Sequence, residues 1–386
     1  MIAPLDHFGR ERLQITDGEI ALINLESARR RSWSRFFQDP LRDGIAETIV
    51  EQEQLTAQFV GDVQALDRLD ALVKRLTQAE ASARIALVEA QVASLTHRFA
   101  DARRCLERAH HAGAASAEMD RLRLTIDQAC GANLEKVLDE RRAIARQGTR
   151  TQDLIALAAL LVDLREFAEA DRTYRQALRT YCEVSPFPVA WACFQLGVLW
   201  GELVPQPDAA EAARWYREAI NCLPAYTKAR VHLAEIYLSD GRADEAEALL
   251  LPAISSGDPE VSWRVGEVLI MQGRQAEGEA HMQTAEFGFE TLLDRHLLAF
   301  VDHAAEFYAA NGKNWPRAVE LTRINVANRP TPRAFEQALD IASHAGDRDA
   351  ARELFNQAKA QWGKTTPFSS STIAKRSSYT WEVATA

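Results

Sequence analysis

Residues Tyr226 to Ile254 read YTKARVHLAEIYLSDGRADEAEALLLPAI. Leu233, Ala234 and Tyr237 fall on one stripe of a first helix at the three- and four-residue spacing of an apolar helical face. Gly241 then breaks the helix, and Ala246, Leu250 and Ala253 form the stripe of a second. A turn this short forces the two helices to pack antiparallel. The small residues mark where their backbones approach most closely.

The same spacing recurs on both sides. Upstream it comprises Ala158, Leu161, Phe167, Ala170, Tyr174 and Ala177, then Leu196, Gly197, Trp200, Ala212, Tyr216, Ala219 and Pro224. Downstream it comprises Val265, Gly266, Leu269, Gly273, Gly278, Met282 and Ala285, then Tyr308, Gly312, Ala318 and Pro330, and finally Gly346, Ala351, Phe355 and Ala358. FADARRCLERA supplies Phe99, Ala102, Leu106 and Ala109 nearer the start, while Gly61 and Gly131 each separate two further helical runs.

This pattern resembles the tetratricopeptide (TPR) repeat family, whose unit is about 34 residues long. The segment LGVLWGELVPQPDAAEAARWYREAI, with three extra residues between its helices, resembles the related Sel1-like repeat. The resemblance implies an all-α fold, a right-handed superhelical solenoid of about nine TPR-like hairpins with an N-terminal capping helix. Residues 1–44 are then an extension and capping helix, and 45–150 are degenerate hairpins. Residues 151–364 are a TPR/Sel1-like array with a concave groove, and 365–386 are a flexible tail. The capping helix is expected from Thr16 to Phe37, started by Thr16 or Asp17 and followed by Pro40. Its end, ARRRSWSRFF, is read as packing aromatics among solvated arginines. The tail after Thr365 is Ser/Thr-rich, without helical period unless Tyr379 and Trp381 anchor it.

Composition narrows the function. The chain has 386 residues, 45 basic against 55 acidic, a net charge of −10. Residues 1–150 carry 22 basic and 23 acidic side chains, so the excess acid lies downstream, where a nucleic-acid surface would need clustered Lys and Arg. No segment has the pattern of an export signal or a membrane span. Cys105, Cys130, Cys182, Cys193 and Cys222 form no C-x-x-C pair, and the expectation is a reduced, cytoplasmic protein with packed thiols. G-x-S-x-G and phosphate-loop motifs do not occur, so the chain is expected not to be an enzyme and to use no cofactor.

In TPR-like arrays the first helices line the concave surface. Counting from Ala158, Gly197, Ala234, Gly266, Ala305 and Leu339, one residue further gives Glu235, Glu267, Glu306 and Asp340 in four consecutive repeats. One turn back stand His232, Arg264, His303 and Gln337. Trp191, Phe194, Gln195, Lys228, Trp263, Asp302, Arg333 and Glu336 continue the lining. An acidic groove with aromatic patches suits a basic or amphipathic peptide. The expected role is a cytoplasmic interaction scaffold or adaptor. A ligand-sensing regulator and an accessory subunit of an enzyme or metal-dependent system are the alternatives. A metal version would use His232 with Glu235 and His303 with Glu306, but the pairs lie two repeats apart, and no metal is assigned. Lys228 matches one position of the chaperone-tail clamp, whereas His232, Gln152, Ala159 and Gln195 depart from it. Homo-oligomerisation stays open.

Overall fold

The computed structural model describes residues 14–148, 150–365 and 369. The expectations for Tyr379 and Trp381 lie outside these residues. The described residues form helices joined by short turns, with no strand among them. The N-terminal helices are α1 (Gly18–Gln38), α2 (Ile45–Leu55), α3 (Gln64–Ala79), α4 (Ala83–Leu95), α5 (Phe99–His111), α6 (Ser116–Ala129) and α7 (Leu134–Gln147). Next come α8 (Thr151–Asp163), α9 (Phe167–Thr180), α10 (Phe187–Val198), α11 (Ala209–Cys222), α12 (Thr227–Ser239) and α13 (Ala243–Leu250). The last are α14 (Pro259–Met271), α15 (Gln275–Ala309), α16 (Trp315–Asn328), α17 (Pro332–His344) and α18 (Arg348–Trp362). From α2 onward, successive helices pair as hairpins and build a superhelical solenoid.

Local chemistry sets the helix ends. Asp17, not Thr16, caps α1 by accepting the backbone N–H groups of Glu19 and Ile20. Asp208, Asp258, Thr331 and Asp347 do the same for α11, α14, α17 and α18. Gly241 and Gly273 close α12 and α14 at φ of 74° and 79°, the left-handed conformation that costs a glycine nothing.

Close approach explains the small residues within helices. A methyl on Gly197 would lie 2.5 Å from Tyr216 Cδ1, and one on Gly266 would lie 2.9 Å from the Gly278 carbonyl oxygen. These glycines let α10 press on the Tyr216 ring and bring the α14 and α15 backbones together. Tyr174, Trp215, Tyr216, Tyr226, Phe289 and Tyr308 are fully buried between the layers.

One hairpin boundary is unlike the others. The sequence places an extra residue in the repeat from Phe300 to Pro330, and there α15 runs on for 35 residues with a kink at His296 (φ −135°, ψ 48°). The stretch packs on both α14 and α16, so two helical segments follow one another across the His296 kink with no intervening turn.

The winding is tight enough for hairpins far apart in sequence to touch. Thr227, at the start of α12, donates its hydroxyl to the Val60 carbonyl at 2.7 Å, and Phe59 packs on Tyr226 with ring centroids 4.7 Å apart. The α4–α5 turn places His97 Nδ1 3.2 Å from the Leu298 carbonyl, and Asn328 donates to the His97 carbonyl at 3.0 Å. The α6–α7 turn brings Gly131 against the Trp362 ring. In the α8–α9 turn Arg165 (φ 62°) pairs with Glu336 of α17. Turns of the early hairpins thus sit on helices of the late ones, and one winding stacks on the next. The first turn of α1 joins this contact, with Gly18 against the Cys222–Pro224 connection.

The basic-aromatic end of α1 divides in two. Phe36 is buried, and Trp33 donates to the fully buried Glu53, which also receives Arg29 and Arg68. Phe37 stays exposed, with the Arg75 guanidinium over its ring. Four of the five cysteines are buried thiols, as expected; Cys182, just beyond α9, is exposed.

Candidate functional site

Three side-chain clusters hold most of the residues that the repeat register singles out. In the first, Lys228 at the start of α12 reaches Glu260 at 2.8 Å and Asp258 at 3.3 Å. Glu260 also holds His303 Nδ1 at 2.5 Å, and Asp302 faces Arg329 at 3.5 Å. Burial alone would push the His303 imidazolium toward neutrality, but the adjacent Glu260 and Asp302 outweigh it and hold its pKa at about 9. Burial likewise opposes ionisation of Asp302, yet His303, Arg329 and His97 bring its carboxyl down to about 2. His97, the near neighbour across the winding, is desolvated beside Arg329 and falls to about 4.

The second cluster neutralises half of the acidic ladder. Arg264 of α14 pairs with both Glu235 and Glu267, and its guanidinium lies 3.7 Å from the centre of the Trp263 ring. His232 sits 2.9 Å from Glu202 and 3.5 Å from Glu235, packed on the rings of Phe194 and Tyr216. Glu202 raises the His232 pKa against the opposing effect of burial. Phe194 and Trp263 are therefore core residues beneath a charged layer. Trp191 stacks on Phe194 and is half-buried, as is Gln195.

The third cluster lies along α17. Gln337 donates to Glu306 at 2.8 Å and to the Asp302 carbonyl at 3.1 Å. Trp263, Arg264, Glu306, Glu336, Gln337 and Asp340 together line a cavity of about 710 Å³, where Trp315 is stacked on His344. The Glu306 carboxyl reaches solvent from deep within the winding, and burial raises its pKa. A second cavity, of about 420 Å³, adjoins the first at Glu336. Its walls are Val162, Phe167, Leu203, Val204, Pro205 and Pro332, with Asp163, Arg165, Glu202 and Arg333 at the polar side. Arg333 stands 3.5 Å from Glu202 across this cavity.

The register thus brings Trp263, Arg264, Glu306, Glu336, Gln337 and Asp340 onto one cavity. It puts Lys228, Asp302 and His303 in a neighbouring ion network that Gln337 links to Glu306. His303 pairs with Glu260 in place of Glu306. Among the described residues, no group of three or more His, Cys, Asp or Glu side chains is arranged to hold a metal ion. Sequence reasoning missed Asp258, Glu260, Glu202, Arg165, Arg329, Trp315 and His344. Asp258 and Glu260 open α14 in a D-P-E run, a readable N-terminal signal. Glu202 and Arg165 belong to turns, where helical counting assigns no face.

The fold is TPR-like. No family model matches the chain, and no curated protein matches it. Solved structures similar to it include a chain of the APC/C hetero-tetramer Cut9-Hcn1, at 14% identity and a TM-score of 0.42 over 87% of this chain and 63% of that one. A human IFIT1 dimer with m7Gppp-AAAA is similar at 16% identity and a TM-score of 0.42, over 95% of this chain and 86% of that one. The C-terminal part of a TPR repeat-containing protein from Cytophaga hutchinsonii is similar at 11% identity and a TM-score of 0.31, over 76% of this chain and 97% of that one. The chain spans less than two thirds of the Cut9-Hcn1 chain. Among the described residues, no helix is long and apolar enough to cross a membrane.

Proposed function

We propose that the chain is an interaction scaffold without chemistry of its own, and that the inward face of α17 receives a basic or amphipathic peptide from a protein partner. The observation that carries this reading is the charge around the two adjoining cavities. Asp163, Glu202, Glu306, Glu336 and Asp340 stand against Arg165, Arg264 and Arg333, and Arg264 is already shared by Glu235 and Glu267. A cationic side chain entering there gains more Coulomb attraction than it would at the open surface, because surrounding protein lowers the local dielectric. The apolar walls and the Trp315–His344 stack supply contact area for aliphatic or aromatic residues. Five free thiols, four of them buried, fit a reducing compartment such as the cytoplasm. The longer turn after α10, with its π-helical Leu199–Leu203, supports a Sel1-like reading of that repeat.

The test uses two fluorescein-labelled peptides of equal length, one rich in Lys and Trp, the other in Glu and Trp. The wild-type chain is expected to bind the basic peptide and not the acidic one. Glu306→Gln with Asp340→Asn is expected to weaken binding about tenfold, equivalent to roughly 1.4 kcal/mol. Equal affinity for the two peptides, or an unchanged affinity in a folded double variant, overturns the reading.

A further inference from the structure

The end of α18 lies beside the mouth of the α17 cavities. Trp362 donates its indole N–H to the Pro330 carbonyl at 2.9 Å, and Gln361 donates to the same oxygen at 3.1 Å. Thr331 and Pro332, the next residues after Pro330, wall the smaller cavity. Beyond Trp362 the Ser369 N–H bonds to the Thr365 carbonyl at 3.2 Å, so the chain continues from this point.

Residues 370–386, outside the described residues, read SSTIAKRSSYTWEVATA. Their chemistry is the reverse of the inward face. Lys375 and Arg376 are adjacent cations, Glu382 is the one acidic side chain, and Ile373, Tyr379, Trp381 and Val383 are bulky apolar or aromatic groups. Seventeen residues reach about 55 Å when extended, whereas α17 is about 20 Å long. A segment tethered at one end of a groove also meets it at an effective concentration on the order of millimolar, so a modest affinity is enough to hold it.

We propose that residues 370–386 dock in cis on the inward face of α17, with Lys375 and Arg376 toward Glu336, Glu306 and Asp340, and with Tyr379 and Trp381 against the apolar and aromatic walls. The chain then carries its own competitor, and an external peptide has to displace it. This rests on the reading of the α17 face as a peptide site, and it adds the identity of the resident peptide.

Carbodiimide coupling of the full-length chain, read by mass spectrometry, tests it directly. With seven lysines in the sequence, Lys375 products are easy to assign. An equal mixture of unlabelled and 15N-labelled chains separates contacts within one chain from those between copies. The expected products join Lys375 to Glu306, Glu336 or Asp340 within a single isotope, and Tyr379→Ala with Trp381→Ala reduces them about tenfold through loss of the tethered contact. Lys375 coupled to other carboxylates, no Lys375 product, or products of mixed isotope would overturn docking in cis. The same labelled basic peptide then separates the two readings. A full-length Lys375→Glu, Arg376→Glu, Trp381→Ala variant is expected to bind it about tenfold more tightly than wild type, since the internal competitor is gone. Equal affinities, with binding still weakened about tenfold in Glu306→Gln/Asp340→Asn, would sink the tail and leave the groove. Binding insensitive to both sets of substitutions would sink both.

Discussion

Asp67 of α3 and His296 at the kink of α15 lie 2.9 Å apart across 229 residues of sequence, and Arg295 reaches the same carboxylate at 2.9 Å. His296 is buried, so removing Asp67 leaves its Nε2 without a hydrogen-bond partner, with only the Asp70 carboxylate 3.8 Å from Nδ1. Asp67→Ala is expected to destabilise the fold by about 1–3 kcal/mol. Asp67→Asn, which keeps an acceptor, should cost less. Urea denaturation checks this, with a lower midpoint at an unchanged slope as the expected signature. Equal stability for Asp67→Ala and wild type would show that the contact contributes nothing.

Gly197→Ala forces a methyl into the Tyr216 ring. Overpacking of this kind costs about 1–3 kcal/mol. Adding Tyr216→Ala should make the glycine substitution much less harmful, because the two positions share one contact. A thermal-denaturation double-mutant cycle measures the coupling, and strictly additive losses would contradict the packing described.

Stability should pass through a maximum near pH 6.5, for opposed reasons on its two sides. His303 has a folded pKa of about 9, above the ordinary 6.5, so its contribution is complete below 6.5 and is lost as the pH rises through 9. His97 has a folded pKa of about 4, so its contribution is complete above 6.5 and fades as the pH falls toward 4. His303→Gln should flatten the alkaline side and His97→Gln the acid side of a stability profile measured by denaturant midpoint. A profile in which each variant keeps its wild-type slope refutes the assignment.

The members of the acidic ladder should behave differently from one another. Glu235→Ala with Glu267→Ala strips both partners from Arg264, and the expected loss is about 1–3 kcal/mol of stability with little change in peptide affinity. Glu306→Gln should instead leave stability nearly intact and weaken a basic peptide. A bound cation favours the ionised carboxylate, and burial raises the Glu306 pKa, so affinity should rise as the pH rises through that raised value. Anisotropy titrations beside thermal melts distinguish the two classes. A Glu306→Gln loss confined to stability would move the peptide site elsewhere.

Much of the helical architecture was legible because close backbone approach admits few residue types. Ala158, Gly197, Ala234, Gly266, Ala305 and Leu339, chosen by spacing alone, are all buried at the helix–helix seams. The same register put six residues around the larger α17 cavity. It could not foresee that Arg264 would bind two of the four ladder carboxylates, because periodicity gives the face of a side chain and not the reach of a long one. Nor could it place Val60 on Thr227 or Arg165 on Glu336. Those contacts depend on how many hairpins complete one winding, a sum of small rotations that no single repeat encodes. The kink at His296 escaped for a related reason: the extra residue was visible in the count, but a helix continuing through the boundary was not.

Stacked windings also restrict how this chain can change length over evolutionary time. In an extended repeat array a unit can be duplicated or deleted with damage confined to its two neighbours. Here a hairpin inserted between α9 and α10 would leave Val60 facing a helix other than α12 and Asp67 facing a position other than His296. Every meeting between an early turn and a late helix that spans the insertion would slip by one unit at once. Gain or loss of a whole repeat is thereby penalised in proportion to the number of such meetings, and the array is held to a fixed length.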